Sequence, residues 1–168
     1  ITNAQDYLHQ RMRENTDSSN QWSEGDWRSL IPEFGQSIAR AFRDGAVNFW
    51  RCHRPTLLSE GAKPNVTPFS VIFGLTGLSI ETREHPGWLK DISIAEVNIA
   101  TRFALHELNG FPSWLPGLYV AYPEAVIDVV ITEIDYELTT ESSDSSSHYV
   151  LYDASWSGSW MWDRLAPL

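Results

Sequence analysis

Only one cysteine, Cys52, occurs in 168 residues, so no internal disulfide can form, and such sparing use fits a reducing cytosol. Long apolar runs are also missing. The longest, residues 69–80, is broken by Gly74, Thr76, Gly77 and Ser79, short of the roughly twenty apolar residues a membrane-spanning helix needs. No membrane partner is expected. The N-terminus has neither a methionine nor the basic-then-apolar pattern of a secretory leader, which predicts a cytoplasmic portion of a longer chain. Positive charge is scarce in one half: residues 103–168 hold ten acids and a single base, Arg164, within a net charge of −10. Phosphate backbones bind through cations that displace counterions, so nucleic acid is not an expected partner. The acidity serves solubility or, more sharply, suits a basic protein partner.

Catalytic signatures are absent as well. His106-Glu107 begins like a zinc-binding helix, but Gly110 stands where the second histidine is required. Neither Gly74–Gly77 nor Gly61-Ala62-Lys63-Pro64 contains the Gly-Lys-Ser/Thr phosphate cradle, and no Gly-x-Ser-x-Gly nucleophile elbow occurs. Cys52 and His53 are neighbours, and on a helix neighbours point about 100° apart. Asp128, Glu133, Asp135 and Glu137 crowd one segment; on a helical wheel the two aspartates share one side and the two glutamates another, which reads as a solvated face. Asn65-Val66-Thr67 matches a glycosylation acceptor, but the following proline and the lack of a secretion signal argue against use. No enzyme, no cofactor and no metal are expected. An enzyme domain using Asp128 and Asp135 with a divalent metal, or a structural spacer, are the alternatives.

What is present is an apolar content of 42% with eight tryptophans, enough for a folded chain that buries roughly two-thirds of its unfolded surface. Two segments share one layout. Pro86-Gly87-Trp88-Leu89 leads into a helix-patterned stretch from 94 to 108, and Pro112-Ser113-Trp114-Leu115 leads into another from 123 to 138. A shift of thirty places matches Val97, Ala100, Thr101, Ala104 and Leu108 to Ile127, Val130, Ile131, Ile134 and Leu138, each set an apolar stripe at helical spacing. Ser93 with Glu96 reads as a capping box, Pro123 suits a first turn, and Asn109-Gly110 reads as a helix stop. The tryptophans are expected to wedge between the long helices. Beside the stripes runs a polar ridge, Asn98, Arg102 and His106 on one helix and Asp128, Thr132 and Asp135 on the other. It is the candidate partner-binding surface.

Elsewhere, residues 2–14 are predicted to form a helix with Tyr7, Leu8 and Met12 inward, followed by a polar joint from 15 to 20. A long helix from Pro32 to about His53 has Phe34, Ile38, Ala41, Phe42, Gly45 and Phe49 on its apolar side, with Gly45 admitting a neighbour and Arg40, Arg43 and Arg51 solvated. Thr67-Pro68 opens a helix to about Arg83 that is apolar nearly all round and should be central. Residues 139–148 read as a mobile polar loop. Tyr149, Tyr152, Trp156 and Trp160 then form an aromatic stripe expected in the core, with a docking face as the functional reading.

The expected fold is therefore all-α, a single helical domain over 1–168, either a helical-repeat array or an irregular multi-helix bundle. The paired short and long helices resemble an α-solenoid of the HEAT-like kind. FGLTGLSIETREHPGWL and SIAEVNIATRFALHELNGFPSWL, within residues 49–138, are similar to helical regions of large bacterial multidomain proteins that carry a signalling nucleotide-switch NTPase elsewhere. That resemblance implies a regulatory or target-sensing arm that binds protein, including other domains of its parent chain, and holds no nucleotide itself.

Overall fold

The computed structural model describes residues 1–16, 20–140 and 149–165, and among these the chain is all-helical, without a strand. The α-helices are α1 (Asn3–Asn15), α2 (Ile31–Cys52), α3 (Phe69–Glu84), α4 (Ile94–Ala104), α5 (Leu115–Ala121), α6 (Pro123–Thr139), α7 (Tyr149–Ser157) and α8 (Trp162–Leu165). Short 3-10 turns lie at Trp27–Leu30, Leu58–Glu60, Trp88–Lys90 and Ser159–Met161. None of the described helices is long and apolar enough to cross a membrane.

Local chemistry sets several boundaries. Thr2 and Gln5 form a reciprocal capping box at α1, and Ser93 and Glu96 form the expected one at α4. Pro123 occupies the first turn of α6, and Pro68 immediately precedes α3. Asn109 and Gly110 both adopt positive φ, 57° and 94°, but α4 has already ended at Ala104.

Helix α3 is central because it walls two cores at once. Val71, Leu75 and Leu78 join the core built by α4–α7, while Phe73 and Ile80 join the one built by α1, α2 and the 27–30 turn. A helix apolar on one side only could not do this. Its two inner glycines allow the close crossings. A Cβ at Gly77 would lie 2.0 Å from the Ala46 carbonyl oxygen on α2, and one at Gly74 would lie 2.2 Å from the Phe103 ring on α4. The close approach thus uses Gly77 rather than Gly45, whose added Cβ would meet only ordinary contacts.

That crossing also shifts the buried face of α2 by one position. Ala39, Phe42, Ala46 and Trp50 are buried, whereas Ile38 and Ala41 are exposed. Small side chains at 39 and 46 bring α3 near, and Gly35, at φ 78°, interrupts the helix before them. On α1, His9 and Met12 are buried, while Tyr7 lies largely outside with its ring edge-on to Phe34 at 6.1 Å. Arg43 and Arg51 are not solvated as expected. Arg43 donates to Glu84 at 2.9 and 2.7 Å, and Arg51 grips Glu81 at 2.7 and 2.6 Å and reaches Glu96 at 2.9 Å.

Helices α4 and α6 pack side by side, and Val97, Ala100 and Ala104 share a core with Ile127, Val130 and Ile134. The stripes stop short of their expected last positions: Leu108 lies beyond the end of α4, and both Leu108 and Leu138 are exposed. The two Pro-x-Trp-Leu pieces differ in form, the first giving a three-residue 3-10 turn and the second the seven-residue α5. Their tryptophans meet each other. Trp88 and Trp114 stand edge-to-face with ring centroids 6.1 Å apart. The aromatic stripe near the C-terminus is only partly in the core: Trp160 packs against it beside Phe111 and Tyr119 and Tyr149 is half-buried, whereas Tyr152 and Trp156 face outward and Val150, Ala154 and Met161 are the buried residues. Residues 17–19 of the polar joint and 141–148 of the polar loop lie outside the described residues.

Two measurements test this packing. In urea titrations, Gly77→Ala should lower unfolding free energy by about 1–3 kcal/mol or more, because backbone must move to admit the methyl. Gly117→Ala, where an added Cβ meets open space, should be neutral or raise stability by up to about 1 kcal/mol. A double-mutant cycle on Trp88→Ala and Trp114→Ala should show a coupling of about 0.5–1.5 kcal/mol, the edge-to-face increment beyond buried area.

Candidate functional site

The polar ridge does not remain one open surface. Arg102 is buried, its Nε donating to the Pro55 carbonyl at 2.9 Å and its Nη2 to the Glu60 carboxylate. His106 Nε2 lies 3.1 Å from the Thr56 carbonyl oxygen, so it serves the same 55–60 loop. Burial lowers its pKa, and the Arg102 charge adds to that. Asn98 turns back to the Ile94 carbonyl at 3.0 Å. On α6, Asp128, Thr132 and Asp135 are exposed, with the Thr132 hydroxyl donating to the Asp128 carbonyl at 2.7 Å. The exposed half of the ridge is therefore these three residues.

The wheel correctly separates the aspartates from the glutamates, but the glutamates are not solvated. Glu133 is 1% exposed and Glu137 3%. Glu133 accepts from the Ser59 hydroxyl and backbone N–H, and Glu137 accepts from the Val150 and Leu151 N–H groups at 2.9 Å each. Free N–H groups at a helix start attract a carboxylate, so Glu137 fastens α7 to α6. Glu107 acts likewise on the chain after α1, accepting from the N–H groups of Trp22 at 2.5 Å and Ser23 at 3.1 Å. Burial pushes its pKa up against those hydrogen bonds. Burial would also raise Glu60, yet hydrogen bonds from Arg54, the Leu57 N–H and Arg102 hold it at about 2.

Two of these carboxylates, Glu107 and Glu133, line a groove of about 1020 Å³. One wall is the loop from Leu57 to Thr67, the base includes Ile72 of α3, the far end is the exit of α4 at residues 105–109, and α7 forms the other wall. A Tyr149–Asn65 hydrogen bond joins the walls at one end. Tyr152, Trp156, Val66 and Leu108 line the groove and are exposed. The Tyr152 and Trp156 rings stand 6.3 Å apart at 56°. Asp153 lies beside them, half-buried, its pKa raised to about 6 by burial and by the Glu137 carboxylate against a hydrogen bond from Trp156. Neither Asp128 nor Asp135 lines the groove.

Tyr149, Tyr152 and Trp156 of the aromatic stripe all line the groove, but their spacing carries no sign of the cavity beside them. The opposite wall comes from a loop some ninety positions earlier, and no local pattern couples the two. Among the described residues, no group of three or more His, Cys, Asp or Glu is arranged to hold a metal ion. No family model, curated protein or solved structure matches the chain.

Asp153 gives a pH test. Its folded pKa of about 6 lies above the usual carboxylate value, so between them the folded chain retains a proton that the unfolded chain releases, and stability falls as pH rises through that window. Asp153→Asn cannot ionise. The melting temperature of this variant relative to the parent should be more favourable at pH 7.5 than at pH 4.5.

Proposed function

We propose that this chain is a non-catalytic helical-repeat module of a larger cytoplasmic protein, and that it works by docking a segment of a protein partner in the groove between the 57–67 loop and α7. The observation that carries this reading is the convergence of four exposed apolar side chains, Val66, Leu108, Tyr152 and Trp156, on one cavity. Single exposed apolar residues are ordinary; a contiguous set along a concave surface is the usual mark of an interaction site. At about 1020 Å³ the groove is at the upper end for small-molecule sites, which enclose most of their ligand. Rim side chains that are 38–67% exposed suit a polymer laid along the surface, with anchors entering between them. Charge favours a basic segment, because Asp153 is the accessible carboxylate on the groove, the buried Glu107 and Glu133 lie in its walls, and Lys63 is the single lysine or arginine lining it. The exposed Asp128 and Asp135 extend the acidic character of this half.

A random twelve-residue peptide library selected against the protein tests the reading. Enriched peptides should carry apolar anchors, and Tyr152→Ser and Val66→Ser should each weaken them at least about tenfold, as expected when an interface anchor is removed. Both positions are more than half exposed, so the variants should retain the parent's circular dichroism and melting temperature. Failure to enrich any peptide, or peptides indifferent to both substitutions, would remove the groove as a docking site.

A further inference from the structure

We propose that the Tyr152, Asp153 and Trp156 side chains on α7 form a seat for an arginine of the docked segment; this rests on the docking reading above. Three observations converge on it. First, the two rings are near neighbours, 6.3 Å between centroids at 56°, and both are more than half exposed. Two ring faces with a carboxylate between them in sequence suit a flat guanidinium, which stacks on aromatic faces and hydrogen-bonds to carboxylates.

Second, this chain already uses the same pairing internally. Arg13 lies 5.1 Å from the Trp22 ring centroid, Arg28 4.7 Å from that of Trp27, and Arg51 4.3 Å from that of Trp50. Among the described residues no cation of this chain is placed over Tyr152 or Trp156, although these rings are the more open ones. Third, the surroundings favour a cation from outside. Asp153 is the accessible carboxylate of the groove, whose one lysine is Lys63, and Arg164 is the only Lys or Arg from residue 103 onward. Lysine would carry the charge but lacks the planar fork, so arginine should be preferred.

The selected peptides decide the matter. Arginine should be enriched at a fixed spacing from the apolar anchors. Replacing it with citrulline, which keeps the shape and removes the charge, should weaken binding about 5- to 30-fold in calorimetric titration. Asp153→Asn should abolish most of that discrimination. Tyr152→Leu, at an exposed position, should also reduce the discrimination. Peptides that bind in the groove without enriched arginine, or arginine and citrulline forms that bind equally, would overturn the seat and leave the docking reading intact. Discrimination that persists unchanged in both Asp153→Asn and Tyr152→Leu would trace to diffuse acidity and would also overturn it. Absence of any groove-dependent peptide would overturn both.

Discussion

A carboxylate removed from water must be met by donors on nearly every side, and this requirement fixes how the segments of the chain are joined. Glu81 accepts from the Trp50 indole and from Arg51, tying α2 to α3. Glu84 receives the Trp27 indole, Arg28 and Arg43, tying the 27–30 turn and α2 to the end of α3. Glu107, Glu133 and Glu137 each catch a different connecting segment: the 22–23 turn, the 58–60 turn and the start of α7. The acids that the composition presents as surplus negative charge are in part internal fasteners. Removing one would leave buried donors without partners, which costs more than a typical exposed ion pair contributes.

Apolar packing does the remainder, and α3 is where both halves depend on it. Its glycines face different neighbours, Gly77 toward α2 and Gly74 toward α4, so the helix can be closely packed on two sides while Leu75 and Leu78 fill one core and Phe73 and Ile80 the other. In a sequence such a helix shows as apolar residues without a preferred side. The absence of amphipathicity was the readable signal of its position.

Much of the helical framework could be read from local chemistry: the Ser93–Glu96 box, Pro123 in a first turn, Pro68 before α3, and the stripes of α4 and α6 up to Ala104 and Ile134. What could not be read depends on contacts distant in sequence. The exit of α4 leaves the helix at Ala104 and reaches the segment after α1, where Glu107 meets Trp22 and Ser23, so Leu108 does not continue the stripe. Arg102 appears polar on a wheel but is enclosed by the 55–60 loop, whose position no periodicity reveals. Of the groove only the aromatic run from Tyr149 to Trp160 shows in the sequence, where its spacing reads as core packing with a docking face as the functional alternative. Periodicity reports a side chain's direction from its own helix axis, not what other segment closes over it.

The two hydrogen bonds from Val150 and Leu151 to Glu137 have a consequence for any occupant of the groove. They fix one wall of that groove to α6, because α7 is short and its buried residues are Val150 and Ala154 alone. Docking of α7 and filling of the groove are therefore linked equilibria: a guest that needs this wall in place stabilises the docked helix, to an extent set by its concentration relative to its dissociation constant.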